Sequence, residues 1–422
     1  AAATTRRTVS VLFVDLDDFK AVNDALGHAV GDRLLGEVAA RLQRATRGCD
    51  TVARLGGDEF AVLLEHVADV EDGARVAERI GGALATPFTL DGRDVRVTAS
   101  IGIASDAVSG CHVSAGEYAG DETPGDAADR LLRHADVAMY RAKARGKACH
   151  VTFSPAMQRE VVDRLELGID LDRAVADESL TLAFQPIVDL ADGRVAGFEA
   201  LARWTHPVRG FVSPALFIPL AEQTGAILAL GQWVLYRACA AAARWGSGLA
   251  DAGAPAVTVN VSGRQLQDPA LPSVVAGALH ASGLAPERLT LEITEGVLME
   301  DTESTLERLH ALRALGVRLA VDDFGTGYSS LAYLHRFPID VLKLDKTFVD
   351  GVARGGRDAV LARTIVTLGA TMQLRTVAEG IEHAGQRDAL REMGCPLGQG
   401  YLFSRPVPEG DVAALLARDR LA

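Results

Sequence analysis

The chain has 422 residues, 48% of them apolar and 23% charged, a balance that excludes wholesale disorder and suits two domains, each large enough to bury its own core. A formal net charge of −13 argues against a protein that grips nucleic-acid polymers, which needs a basic stripe to neutralise phosphates. Phosphate-bearing small molecules are not excluded, because bound divalent cations invert local charge.

The first 153 residues alternate short apolar runs with helical spacing. Val9–Val14 is an apolar strand, and Asp32–Ala45 is a helix with Leu34, Leu35, Val38 and Leu42 on one face. Thr51–Leu55 and Phe60–Leu64 are strands joined by Gly56-Gly57-Asp58-Glu59, where glycine permits the bend. Val70–Ala85 comes next as a helix, and Phe88–Leu90 and Val95–Ile103 flank the Asp91-Gly92 hairpin signal. Asp106–Gly125 is polar and without period, hence a loop; Ala127–Ala144 is helical and Cys149–Phe153 an edge strand. Pro155 marks a boundary, and Arg159–Ala176 is a charged amphipathic helix leading into a second domain, giving 154–178 as the connector.

From residue 179 to 422 the rhythm changes. Apolar strands recur at Leu182–Val188, Val195–Ala200, Val257–Val261, Leu289–Ile293, Leu319–Val321, Val341–Leu344, Arg375–Val377 and Tyr401–Phe403, with helical segments between most of them. Eight strands over about 240 residues is the size of a (β/α)8 barrel, whose active site is built at the C-terminal strand ends. Glu199, Asn260, Glu292, Asp322, Asp323, Lys343, Asp345 and Glu379 stand where strands two to seven end, and Gln399 lies just before the last strand.

Bringing those acids to one rim accumulates like charge, which raises pKa values and destabilises the fold unless a counter-ion is present. Hard divalent cations such as Mg²⁺ or Mn²⁺ prefer carboxylate and amide oxygens. Two of them about 3.5–4 Å apart form the usual clamp for phosphodiester hydrolysis. Lys343 supplies a fixed positive charge near the water or the phosphate.

The strings QPIV (Gln185–Val188), EALARW (Glu199–Trp204), NVSGRQL (Asn260–Leu266), EITE (Glu292–Glu295), DDFGTGYSSL (Asp322–Leu331), KLDKTFV (Lys343–Val349), AEGIE (Ala378–Glu382) and GQGYLFSRP (Gly398–Pro406) resemble the EAL-type cyclic-di-GMP phosphodiesterases. The resemblance implies that Glu199, Asn260, Glu292 and Asp322 hold one metal, with Asp322 and Asp323 on a second. It implies that Glu379 and Lys343 position and activate water, that Gln185, Arg203, Asp345 and Gln399 contact substrate, and that Glu295 and the loop Phe324–Ser330 couple dimerisation to metal binding. Every polar position these motifs call for is filled.

In the first part, Asp15 closes a strand and Asp58 and Glu59 lie in the glycine hairpin, so two strand ends present acids that can share Mg²⁺ over a triphosphate. Lys143 and Lys147 are four apart at a helix end, and Asn23 and Asp32 offer the mixed donors and acceptors that guanine requires. RLGGDEF (Arg54–Phe60), DLDDFKAVNDALGHAVGD (Asp15–Asp32) and ADVAMYRAKARGK (Ala135–Lys147) together resemble a GGDEF-type diguanylate cyclase domain. This implies an α/β cyclase-like domain with a mainly antiparallel sheet. Asp15, the Leu16 carbonyl and Asp58 would bind metal, and Glu59 would assist deprotonation of the 3′-hydroxyl or bind the second ion. Asn23 and Asp32 would read guanine, Gly56 and Gly57 would let the backbone approach the nucleotide, and Lys143 and Lys147 would hold phosphate. Each domain would hold one GTP with Mg²⁺, so two must face each other and a homodimer is expected. Arg47-Gly48-Cys49-Asp50 matches the family's inhibitory product site, with Arg47 and Asp50 on guanine.

Three departures from that family are visible. The helix that usually precedes the first strand has no counterpart before Thr8, which implies a trimmed domain; Asp106–Gly125 is longer than the usual connection; and Ala148 replaces the asparagine that follows Gly-Lys. Three readings stay open: an enzyme that makes cyclic di-GMP from GTP and cleaves it to pGpG; a hydrolase whose first domain is a GTP-binding regulator; and a non-enzymatic cyclic-di-GMP receptor. No stretch approaches the ~20 apolar residues of a spanning helix. The five cysteines are scattered without a CxxC pair, so a cytoplasmic chain without membrane contact is expected.

Overall fold

The computed structural model describes residues 8–67, 70–106, 124–245, 254–298, 302–325, 336–418 and 420–421. Backbone contacts divide the chain into two units, Ala1–Leu165 and Glu166–Ala422. The division falls inside the connecting helix, which runs from Pro155 to Ala176 and begins earlier than expected because proline is at ease in a first helical turn.

The first unit is built on a five-stranded sheet of β1 (Thr8–Leu16), β2 (Thr51–Gly56), β3 (Glu59–Val67), β6 (Ala99–Ser105) and β7 (His150–Thr152), in the order β2-β3-β1-β6-β7. Every pairing is antiparallel except β6–β7. The near-continuous apolar run of β1 reflects cover on both faces. Leu12, Val14 and Leu16 pack with Leu34, Val38 and Ile80 of helices His28–Ala45 and Val70–Ala85, whereas Val11 and Phe13 pack with Leu131, Ala135 and Met139 of helix Pro124–Ala144. Gly102 permits that last helix to sit down on β6, since a Cβ there would stand 1.9 Å from the Ala135 carbonyl oxygen.

The expected Asp91-Gly92 hairpin forms between β4 (Phe88–Leu90) and β5 (Arg93–Val95). The single strand expected over Val95–Ile103 is in fact two. β5 pairs back onto β4, β6 pairs with β1, and at the break Asp17 N–H donates to the Thr98 carbonyl. Of the expected loop Asp106–Gly125, residues 107–123 lie outside the described residues.

The second unit is a closed barrel of β8 (Thr181–Asp189), β9 (Val195–His206), β11 (Ala256–Asn260), β12 (Leu289–Thr294), β13 (Arg318–Phe324), β14 (Val341–Leu344), β15 (Arg375–Ala378) and β16 (Leu397–Gln399). A short strand, β10 (Gly210–Val212), extends β9. Two details differ from a uniform (β/α)8 pattern. β8 runs antiparallel to both neighbours, β9 and β16. It is joined to β9 by the Asp192-Gly193 turn, and so short a link allows only an antiparallel pair. The barrel's last strand is Leu397–Gln399 rather than Tyr401–Phe403, so Gln399 ends a strand instead of preceding one, and the two-residue strand Val407–Pro408 adds antiparallel onto β8.

Side chains two apart on a strand share a face. Ile187, Ala320, Val341, Val377 and Leu397 form a small apolar cluster, and each lies two residues from Gln185, Asp322, Lys343, Glu379 or Gln399. An apolar plug thus underlies a polar layer at the mouth. Among the described residues no helix is long and apolar enough to cross a membrane.

Candidate active site

Lys343 is the hub of the barrel mouth. Its side chain is 1% exposed, and its Nζ lies 2.8 Å from Glu292 Oε2, 3.3 Å from Asp322 Oδ1 and 4.0 Å from Glu199 Oε2, with Glu379 Oε1 in direct contact. Burial by itself would lower the lysine's pKa, but the four surrounding carboxylates outweigh it and hold the ammonium well above its ordinary value. Burial pushes Glu292 well above the usual carboxylate range, Lys343 opposes, and Glu199, Asp322 and Glu379 add to the rise. Burial likewise raises Glu379 to about 7, with Asp322 and Glu199 contributing against Lys343. One cation thus faces four acids, and the ring is short of positive charge.

The backbone sharpens this deficit. The β13–β14 register shifts between Val321 and Phe324, and Asp323 takes a left-handed φ of 53°. Such a bulge re-aims a side chain that regular pleating would send to the other face. Asp322, Asp323 and Glu379 thereby bring three carboxylate oxygens within 4.8 Å of one another. Asp323 is itself raised by burial and by the Asp322 and Asp345 charges. A compact set of hard oxygen donors with excess negative charge fits Mg²⁺ or Mn²⁺. Gln399 Oε1, buried without a hydrogen-bond partner, adds an unspent acceptor at the same mouth.

The amides orient the acids. Asn260 Nδ2 donates to Glu199 Oε1 at 2.7 Å, and Gln399 Nε2 donates to Glu199 Oε2 at 2.6 Å and to Gln185 Oε1 at 3.0 Å. Gln185 is paired with Glu199 across β8–β9 and donates to the Ser404 carbonyl at 3.2 Å. Arg203, half-buried, donates to the Ala202 carbonyl and lines a cavity of about 330 Å³ with Asn260, Pro214, Ile218 and Glu222. Asp345 spends Oδ1 on capping the turn Lys346–Val349, accepting from Thr347 N at 2.9 Å and Oγ1 at 2.6 Å. Glu295 Oε2 accepts from Gly325 N at 2.9 Å, which ties the end of β12 to the segment after β13. Residues 326–330 of the expected coupling loop lie outside the described residues.

In the first unit, Asp15 and Glu59 are register partners across β1–β3, and Leu16 N–H donates to the Asp58 carbonyl at 3.3 Å. Three expected acids therefore meet at adjoining strand ends. Lys143 Nζ lies 2.7 Å from Asp15 Oδ2. Burial raises Asp15, opposed by Lys143 and reinforced by Asp58 and Asp17; burial, Asp15, Asp136 and Asp58 raise Glu59. Lys147 pairs with Asp18 at 2.7 Å. Gly57 takes φ 52°, while a Cβ at Gly56 would meet nothing within 4 Å, so the space over the hairpin is open to a ligand. Asn23 and Asp32 lie on helices Phe19–Leu26 and His28–Ala45 rather than at the strand ends. Arg47 N–H donates to Asp50 Oδ2 at 2.7 Å, and both residues line a cavity of about 250 Å³ with Arg75 and Arg79. Two features escape sequence reasoning: Asp136, whose charge reaches Glu59, and Asp17, whose partners are 81 to 131 residues away.

A model of the EAL domain matches residues 169–406, and a model of the diguanylate cyclase GGDEF domain matches residues 1–114. The bifunctional diguanylate cyclase/cyclic di-GMP phosphodiesterase MucR of Pseudomonas aeruginosa is 42% identical over 412 residues, 97% of this chain and 57% of MucR. The cyclic di-GMP phosphodiesterase NbdA of the same organism is 41% identical over 402 residues, 95% of this chain and 49% of NbdA. The chain spans about half the length of the curated relatives it matches. Among solved structures, the PaMucR phosphodiesterase in complex with c-di-GMP aligns with a TM-score of 0.56 at 41% identity, over 58% of this chain and 99% of its own. The EAL enzyme Bd1971 in its cAMP-bound form aligns over 87% of this chain and 92% of its own with a TM-score of 0.58; at 24% identity this bears on the fold alone. With both domain models matched in tandem and the barrel closed as in its structural neighbour, the chain belongs to the EAL domain family and carries a GGDEF domain ahead of its barrel.

Proposed function

We propose that this chain turns over cyclic di-GMP: the barrel hydrolyses one phosphodiester to give linear pGpG, and the first domain joins two GTP molecules into cyclic di-GMP. The observation that carries the hydrolase reading is the charge imbalance around Lys343, a buried ammonium facing Glu199, Glu292, Asp322 and Glu379 with Asp323 beside them. Glu199, Asn260, Glu292 and Asp322 would hold one divalent ion, and Asp322 and Asp323 a second. Divalent ions held there would supply Lewis-acid polarisation of the phosphoryl oxygens and a more acidic water. Glu379, which touches Lys343 and lies beside Asp322 and Asp323, would stand to take the proton of the attacking water. Lys343 stabilises charge that develops on the phosphate, and Gln399 and Asn260 hold Glu199 in place.

In the first domain, Asp15, Asp58 and Glu59 would hold Mg²⁺ over the triphosphate, with Lys143 and Lys147 leaving their carboxylates for phosphate. Cyclisation is in-line phosphoryl transfer between two facing domains, so it requires a homodimer. Arg47 and Asp50 would hold the inhibitory product.

The test is product analysis by chromatography. Cyclic di-GMP with Mg²⁺ or Mn²⁺ should yield pGpG, and Glu199→Ala should stop this while leaving GTP binding intact. Cyclic di-GMP returned unchanged by the native chain overturns the hydrolase reading and leaves a receptor. GTP should yield cyclic di-GMP or pGpG, and Asp58→Ala should abolish that alone. GTP bound without product leaves the first domain as a regulatory module.

A further inference from the structure

Asp17 takes no part in the proposed chemistry, yet it is buried and fully engaged. Its Oδ1 accepts from Ser100 Oγ at 2.7 Å; its Oδ2 accepts from Thr98 Oγ1 at 2.7 Å and from the Ala148 backbone N–H at 3.0 Å. Every donor is neutral, so these are charge-assisted hydrogen bonds rather than an ion pair. They tie the end of β1 to the start of β6 and to the strap that leads from helix Pro124–Ala144 into β7.

That strap is strained. Gly146, Lys147 and Ala148 have φ of 107°, 64° and 49° in succession. Glycine adopts such angles freely, but Lys147 and Ala148 do so at a cost and persist there only where the surroundings impose it. Lys147 reaches from the strap to Asp18, which itself has φ 56°. Three left-handed non-glycine residues therefore gather around one buried carboxylate. The Lys147–Asp18 pair is exposed on both sides and screened by solvent, so it does not impose the geometry.

We infer that Asp17 is a positioning residue: by holding Ala148 N–H it keeps the strap left-handed and aims Lys147 at the terminal phosphates of a nucleoside triphosphate seated at Asp15 and Asp58. This rests on the reading of the first domain as a GTP site. When the nucleotide draws Lys147 from Asp18, the strap stays where Asp17 pins it.

The experiment measures GTP affinity by titration with Mg²⁺ and exchange of the Ala148 amide with deuterium, on the full chain. Asp17→Ala should weaken GTP binding about tenfold, in line with the loss of a hydrogen bond to a charged group, and should speed Ala148 exchange. Asp17→Asn should restore both to within about threefold, because the Ser100 hydroxyl can turn to accept from the new amide while the other oxygen keeps Thr98 and Ala148. In a Lys147→Ala background, Asp17→Ala should add nothing to the loss of affinity. Native affinity in Asp17→Ala overturns the proposal. So does Asp17→Asn being as weak as Asp17→Ala, which would mean that the carboxylate acts through its charge. If circular dichroism shows Asp17→Ala unfolded, Ala148→Pro removes the same donor and forbids the left-handed angle; it should lose the same affinity, and unchanged binding overturns the proposal. If the native chain binds no GTP, it is the reading of the first domain that fails. Ala148 exchange then decides whether Asp17 pins the strap, and unchanged exchange in Asp17→Ala overturns it.

Discussion

Lys343 and Lys143 both face carboxylates at strand ends, yet Lys343 is 1% exposed among four acids and Lys143 is 35% exposed against Asp15. The barrel's lysine is locked in place by folding, and stripping it away strands buried charge. The first unit's lysine is an exchangeable partner, because its own ammonium is partly exposed and reaches solvent beside a buried Asp15, so a phosphate can take the carboxylate's place. On the proposed function, the first of these sites would be preorganised for a transition state and the second would exchange a protein carboxylate for a ligand.

Replacing each lysine breaks the comparison most directly. Lys343→Met should cut hydrolysis by at least about a hundredfold, as removal of a charge-stabilising group does. In EDTA it should also cost about 3–5 kcal/mol, because the acids lose their buried partner. For a domain of this size that lowers the melting temperature by roughly 10 °C, with part regained on adding Mn²⁺. Lys143→Met should shift melting by less than about 2 °C. Equal shifts in the two variants would refute the contrast.

Glu292→Gln should separate stability from function. Burial already disfavours the Glu292 charge, so the neutral amide should leave melting in EDTA unchanged or higher, while hydrolysis falls about a hundredfold. A large loss of stability without metal would show that the carboxylate is held for folding rather than for a cation.

A smaller effect is pH-dependent. Glu379 stands at about 7 in the folded barrel against an ordinary 4.5. A carboxyl raised on folding adds stability that is fully present below the unfolded value and is lost as pH climbs through the folded one. In EDTA the native protein should therefore lose stability relative to Glu379→Gln between about pH 4.5 and 7. Parallel melting curves across that window would show that Glu379 is not raised.

Much of the barrel mouth is legible in the residues alone, because motif spacing brings acids to strand ends wherever strands end. Glu199, Glu292, Asp322 and Glu379 needed only the barrel topology to meet. What escapes is set by long-range packing or by one local irregularity. The antiparallel β8 hangs on the Asp192-Gly193 turn, a hairpin signal hidden within a strand–helix rhythm. The bulge at Asp323 leaves little mark in residue type, since aspartate is favoured among non-glycine residues at positive φ but stands elsewhere far more often. Tyr401–Phe403 reads as the last strand because it is apolar, whereas Leu397–Gln399 is short and interrupted by Gly398, where a Cβ would stand 2.6 Å from the Ile381 δ-methyl and 2.7 Å from a Leu190 methyl and force both to shift. Asp17 looks like one acid in a run, since no spacing rule links it to Ser100 or Ala148.

Anomalous diffraction from crystals grown with Mn²⁺ decides whether the barrel mouth holds two divalent ions. Two strong peaks are expected at the barrel mouth, one among Glu199, Asn260, Glu292 and Asp322 and one between Asp322 and Asp323. A mouth with no anomalous density at saturating Mn²⁺, Lys343 still alone among its carboxylates, would contradict that arrangement.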